Sequence, residues 1–137
     1  AALGLGQLKK INKIFLKKKF IDKYYRTKLG HLKEIKFGSI NSFSNPIYWF
    51  TTIRVERKNS LWKYLLKKKI EMREMFLPMH LQVCFKNNGD VLNKNNKFPI
   101  STKLYKTGLC LPSSPNMTIK DLNYIVKMII RFYKYKN

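Results

Sequence analysis

Acidic residues are scarce: seven among 137, against 29 lysines and arginines, for a formal net charge of +22. That shortage leaves little material for paired-carboxylate chemistry. Glu71 and Glu74 form the one close pair, and a solvated strand edge accounts for them. The two cysteines, Cys84 and Cys110, are too few for a disulfide scaffold and lack metal-ligand spacing, so a reducing, cytoplasmic setting is expected. Only two histidines occur; His31 reads as an exposed loop residue after a helix end, and neither it nor His80 has a metal-like neighbour in sequence. No apolar run approaches the roughly 18 residues of a membrane span. Lys9 and Lys10 interrupt the first apolar stretch without a cleavage-like site behind them, which argues against a secretory signal.

Hydrophobic residues make up 45% and aromatics 14%, too much for a disordered basic tail, and the length fits one compact domain. Such a positive charge would ordinarily point to phosphate-rich partners. Lysine, however, supplies 24 of the 29 bases, and the arginines are Arg26, Arg54, Arg57, Arg73 and Arg131. Specific nucleic-acid readers lean on the planar fork of arginine. The chain also has 13 isoleucines and 12 asparagines but only two alanines, a bias typical of AT-rich coding sequence. The lysines therefore read as solvated faces, and no RNP-like box, zinc knuckle or Gly-rich phosphate loop implies a specific nucleic-acid partner. A stand-alone basic module gripping RNA or an anionic surface is the alternative reading.

Ala1, Ala2, Leu3, Leu5 and Leu8 read as the middle of a helix already under way, with no capping residue before them. Leu8, Ile11, Phe15, Ile21 and Tyr25 continue its apolar stripe, predicting one long helix to Leu29 that stops at Gly30. The expectation is a piece of a longer protein: the end of a long interdomain helix over residues 1–29, a small α+β domain over 30–137, and a further domain upstream. A short strand is expected within Leu32–Phe37, a loop over Ser39–Pro46, and an alternating strand over Tyr48–Val55 with Trp49, Thr51, Ile53 and Val55 on one side. Asn59 or Ser60 is expected to cap a helix carrying Leu61, Leu65 and Leu66. An extended piece, Ile70–Phe76, leads into Pro78; Asn87–Lys97 reads as an exposed polar loop; Pro99 sits where a helix can start; Thr107–Leu111 reads as a third strand. Thr118 and Asp121 are placed as capping-box partners for a last helix whose face is Ile119, Leu122, Ile125, Ile129 and Phe132. Together these elements predict helices packed on one face of a small, mainly antiparallel sheet.

Two stretches carry more than punctuation. Arg73-Glu74-Met75-Phe76-Leu77-Pro78-Met79-His80-Leu81-Gln82 sets guanidinium, imidazole and amide beside a proline turn, as a substrate-facing loop requires. Gly108-Leu109-Cys110-Leu111-Pro112-Ser113-Ser114-Pro115 takes a strand out through two prolines, with Cys110 expected as a small buried hydrophobe.

The opening AALGLGQL, the strand YWFTTIRV, the stretch IEMREMFLPMHLQ and the closing GLCLPSSP stand in an order and at distances that resemble the C-terminal part of the DegT/DnrJ-type sugar aminotransferases. The resemblance runs from Ala1 to about Phe132. It implies the small C-terminal domain of a fold-type-I, pyridoxal-phosphate-dependent enzyme. Such an enzyme is a homodimer that moves an amino group from glutamate onto a nucleotide-activated keto sugar, for surface polysaccharide or related products. Met72–Gln82 is most similar to perosamine-synthase-like members acting on 4-keto-6-deoxy sugars. The cofactor lysine and the acidic partner of the pyridine nitrogen lie upstream of AALGLGQL in that family, so no catalytic or cofactor-binding residue is expected here and the piece alone is expected to be inactive. Arg73 matches the arginine of the family's glycine-isoleucine-x-threonine-arginine-proline stretch; His80 and Gln82 match its proline-x-histidine-x-glutamine stretch beside the sugar site. Lys69 stands where the family has a helix-ending glycine, and Glu74 where it has a proline; Glu74 is expected to pair with Arg73. A degenerate or regulatory fragment that dimerises with an intact enzyme is a third reading.

Overall fold

The computed structural model describes residues 1–86 and 98–135; the Asn-rich stretch expected as a loop lies outside the described residues. Chain order is α1 (Ala2–Leu8), α2 (Ile11–Leu29), β1 (Ile35–Phe37), β2 (Thr51–Val55), α3 (Lys58–Lys67), β3 (Arg73–Glu74), a 3-10 turn (Met79–Leu81), α4 (Val83–Lys86), α5 (Pro99–Thr107), β4 (Gly108–Leu111) and α6 (Ile119–Lys134). The strands form one antiparallel sheet in the order β1-β2-β4-β3. The α+β architecture expected from the sequence is the one observed.

The first helix is two helices. Lys10 leaves helical geometry, and its N–H bonds Gln7 O in a tight turn. No residue of α1 is buried, so no packing holds a continuous helix through Gly4, Gly6 and the Lys9–Lys10 pair. α2 buries Ile21, Asp22, Tyr25 and Leu29.

β2 is shorter than its alternation suggests. Thr51, Ile53 and Val55 are buried, but Trp49 is 64% exposed. Thr51 pairs with Leu111, and the next residue on β4 is Pro112, which has no N–H to extend the ladder. The Ser113 hydroxyl instead accepts the Thr51 N–H at 3.0 Å.

Ile53, Val55, Leu109 and Leu111 face Ile21, Tyr25 and Leu29 of α2, Leu61 and Leu65 of α3, and Leu122, Ile125, Ile129 and Phe132 of α6 in one core. Ile119, placed on this face by its spacing, is 56% exposed, because it sits in the first turn, ahead of the packed stretch. The expectation of helices on one face alone also needs correction. A side chain on Gly108 would run into Met75 Cγ and come within 2.5 Å of Leu104 O, so α5 and Met75 cover the opposite side of β4, where Cys110 is buried.

The cap of α3 is Arg57, not Asn59 or Ser60. β2 stays paired through Val55, and Glu56 N–H bonds Glu34 O, so the chain must turn at once; Arg57 takes the left-handed conformation, φ 54°. At the other end Lys69, φ 59°, closes a Schellman motif: Lys69 N–H bonds Leu66 O, and Ile70 N–H reaches Leu65 O at 3.0 Å. Each left-handed residue costs about 1–2 kcal/mol. Burying Leu61, Leu65 and Ile70 stabilises by about 1.5–3 kcal/mol apiece, so burial wins.

α6 begins with the expected capping box. Thr118 N–H donates to Asp121 Oδ2 at 2.8 Å, and Asp121 N–H donates to Thr118 Oγ1 at 3.2 Å. Among the described residues no helix is long and apolar enough to cross a membrane.

Candidate functional site

Pro78 holds an extended backbone, φ −57° and ψ 143°, and starts the 3-10 turn that carries His80. The turn aims the imidazole at α5: His80 Nε2 lies 3.0 Å from Thr102 Oγ1, and its ring centroid is 4.9 Å from that of Phe98. A hydroxyl can donate or accept, so the contact survives either tautomer. Pro99 as first residue supplies the helical φ that starts α5 without an N–H to leave unpaired, which places Thr102 one turn in. Between the turn and the helix lies an open cleft of about 590 Å³, lined by His80, Phe98, Thr102, Lys103 and Lys106 among others. Among the described residues its lining holds two ammonium groups and no carboxylate, an arrangement suited to an anionic group beside a hydrogen-bonding imidazole.

Gln82 is part of the same turn but serves its backbone. Its Nε2 donates to Leu77 O at 3.4 Å, across the bend made by Pro78. Arg73 does not line the cleft. It is exposed on β3, opposite Cys110, with its guanidinium 5.5 Å from the centroid of Phe50. Burial pushes the Cys110 thiol up, although Arg73 and Lys58 oppose this, so the group stays protonated and inert, as its place in the sequence suggested. Of the three candidates, then, His80 and Gln82 share one turn and Arg73 stands apart.

Glu74 pairs with Lys58, at 3.0 Å, rather than with Arg73. Neighbouring residues on a strand project to opposite faces, which separates the two side chains however close they are in sequence. Lys58 Nζ also donates to Tyr105 O at 3.0 Å, tying the start of α3 to α5. Thr102, Phe98 and Lys58 carried no signal in the sequence; each is brought in by tertiary packing alone. His31 is exposed, as expected.

A fold-type-I cofactor site requires a free lysine amine and a carboxylate for the pyridine nitrogen. Lys18, whose ammonium burial pushes down, is held by Trp49 O at 2.7 Å and Ser113 O at 2.5 Å and is therefore engaged. The cleft at His80 has lysines but no acid. Neither Lys18 nor the described lining of the His80 cleft pairs a free amine with a carboxylate, so neither fits such a cofactor.

The sequence pattern of the DegT/DnrJ/EryC1/StrS aminotransferase family matches residues 1–130. The chain is 30% identical over 139 residues to the GDP-perosamine synthase of Escherichia coli O157:H7, covering 99% of this chain and 36% of that protein. Against the GDP-perosamine synthase of Vibrio cholerae the identity is 27%, over 97% of this chain and 36% of the relative. The chain thus spans about a third of the length of these relatives. Among solved structures, DesV of S. venezuelae in complex with a ketimine intermediate superposes with a TM-score of 0.85 at 17% identity, over 95% of this chain and 34% of that one. A DegT/DnrJ/EryC1/StrS aminotransferase from Brucella abortus gives 0.82 at 21% identity, over 96% and 34%. These two likenesses establish the fold.

Proposed function

Because the chain belongs to the DegT/DnrJ/EryC1/StrS aminotransferase family, we propose that it is the C-terminal part of a cytoplasmic, homodimeric, pyridoxal-phosphate-dependent enzyme. That enzyme transfers the amino group of glutamate to a nucleotide-linked 4-keto-6-deoxy sugar. The observation that carries the reading is the match over residues 1–130, together with the relatedness along nearly the whole chain to two GDP-perosamine synthases. The cofactor, when bound, supplies an electron sink for amino transfer; in this reading it is held by the preceding part of the protein.

What these residues contribute is one wall of the substrate cleft and part of the dimer contact. His80, backed by Thr102, is the hydrogen-bonding group toward the sugar nucleotide, and Gln82 keeps the turn in shape. Arg73 is exposed and offers its N–H donors to an anionic substrate group arriving from a neighbouring part of the enzyme. Apolar surface supports the idea of further protein against this domain. Leu3, Leu5 and Leu8 are at least 59% exposed, and Trp49 stacks on Phe76 at 5.8 Å with both rings mostly open.

The test is to express the complete reading frame beside the 137-residue chain and assay 2-oxoglutarate release from glutamate with GDP- and dTDP-linked 4-keto-6-deoxyhexoses. Turnover by the complete protein and none by the chain alone is the expected result. Turnover by the chain alone, or none with any sugar nucleotide by a cofactor-loaded complete protein, would overturn the reading.

A further inference from the structure

The positive charge is not distributed evenly. α2, α3 and α6 form the helical layer, and together they contain two carboxylates. Asp22 is buried and bonded to Arg26 at 2.6 Å; Asp121 closes the capping box. Asp22 is spent on Arg26 and Asp121 lies in the first turn of α6, so two carboxylates face the exposed Lys23, Lys28, Lys63, Lys67, Lys127, Arg131 and Lys134. Between α2 and α6 this layer is concave. A groove of about 580 Å³ has Lys28 on the α2 side, Lys127, Arg131 and Lys134 on the α6 side, and Ile130 and Tyr135 among its apolar lining. Near one end the Tyr24 hydroxyl bonds Asn123 Oδ1 at 2.5 Å, locking the two helices together.

We propose that this groove binds single-stranded RNA through its phosphodiester backbone, without base readout. The match is one of charge and shape. Four cations converge on a channel whose lining includes no acid, and each phosphate they neutralise releases condensed counterions. A bilayer is flat and cannot enter a concave groove, and the aliphatic side chains there are recessed: Val126 is buried and Ile130 half-buried. Tyr135, 71% exposed at the groove, presents a ring on which a base can stack whatever its identity. In a cell, unpaired phosphodiester chain is mostly RNA. The proposal is independent of amino transfer and uses no residue of the His80 cleft.

The experiment is fluorescence anisotropy of a labelled uridine oligomer of about twelve nucleotides titrated with the full chain at several KCl concentrations. Four phosphate contacts at about 0.7 each predict a log–log salt slope near −3. The double variant K127E/R131E is expected to weaken binding at least about tenfold and to flatten the slope by roughly half. The pair K63E/K67E, on α3 and outside the groove, makes the same change in net charge and is expected to stay within about threefold. Circular dichroism checks that each variant folds, and Arg131→Gln provides a milder replacement expected to lower the slope by about 0.7. A wild-type slope shallower than about −1 would overturn the proposal. So would equal losses from the two double variants, which mean diffuse charge. So too would tighter binding to vesicles containing phosphatidylserine than to the oligomer, which makes the partner a membrane.

Discussion

His80 Nε2 and Thr102 Oγ1 meet at 3.0 Å although 22 residues separate them in sequence. The contact fixes the imidazole against α5 and sets the width of the cleft between them. On the proposed reading as a sugar aminotransferase, Thr102→Val in the complete protein is expected to raise the KM for the sugar nucleotide about three- to tenfold, the worth of one hydrogen bond, with kcat changed less than twofold. His80→Ala should raise KM at least as much, and His80→Asn should restore part of the loss. Steady-state kinetics at fixed glutamate checks this; an unchanged KM in both Thr102→Val and His80→Ala would remove His80 from the substrate site.

Lys69 occupies the left-handed position of the Schellman motif after α3. Lys69→Gly relieves a strain of about 1 kcal/mol, less the backbone freedom that glycine gains in the unfolded chain. A net rise of about 1–3 °C in Tm is expected by differential scanning calorimetry. A fall would mean that the lysine stem is packed.

Gly108→Ala places a methyl group against Met75 and within 2.5 Å of Leu104 O. The methionine can move but the α5 carbonyl cannot without disturbing the helix, so a loss of about 1–3 kcal/mol is expected. Urea unfolding measures it. Adding Met75→Ala should not rescue the variant, since the backbone contact remains.

Burial raises the hydroxyl pKa of Tyr25, which donates to Pro112 O at 2.9 Å, and of Tyr133, which donates to Glu56 O at 2.9 Å. Both folded values lie above the ordinary 10.0. Their contribution to stability is therefore complete below about pH 10 and is lost as the unfolded chain ionises above it. Tyr25→Phe and Tyr133→Phe should lower stability at neutral pH by about 1 kcal/mol each and flatten the alkaline decline of Tm. Asp121 acts at the other end: the Thr118 N–H first, then its hydroxyl, holds the carboxyl below 3.8. Its contribution is present above that value and lost as pH falls further, so Asp121→Asn should flatten the acid limb.

Much of this was legible in the sequence, and the reasons are local. The α6 cap, the Pro99 start and the alternation of Thr51, Ile53 and Val55 are encoded by neighbours within a few residues, and all three are observed. The left-handed position of Lys69 followed from the family pattern at that place. What did not follow needed information from elsewhere in the chain. The α1–α2 break comes where α1 buries no side chain against the described residues; the early end of β2 is set by Pro112, some 60 residues away. Glu74 chose Lys58 over its neighbour Arg73 because strand geometry outranks sequence adjacency. The cleft partner Thr102 has no motif at all, and only the fold brings it to His80.

β4 lies between β2 and β3, yet among the described strands it is the last to be synthesised. Until Gly108–Leu111 has left the ribosome, β3 has no neighbour and one edge of β2 stands open. Closure of this sheet must therefore wait for Gly108–Leu111, and a nascent chain stalled before Gly108 is expected to leave one edge of β2 and the whole of β3 unpaired.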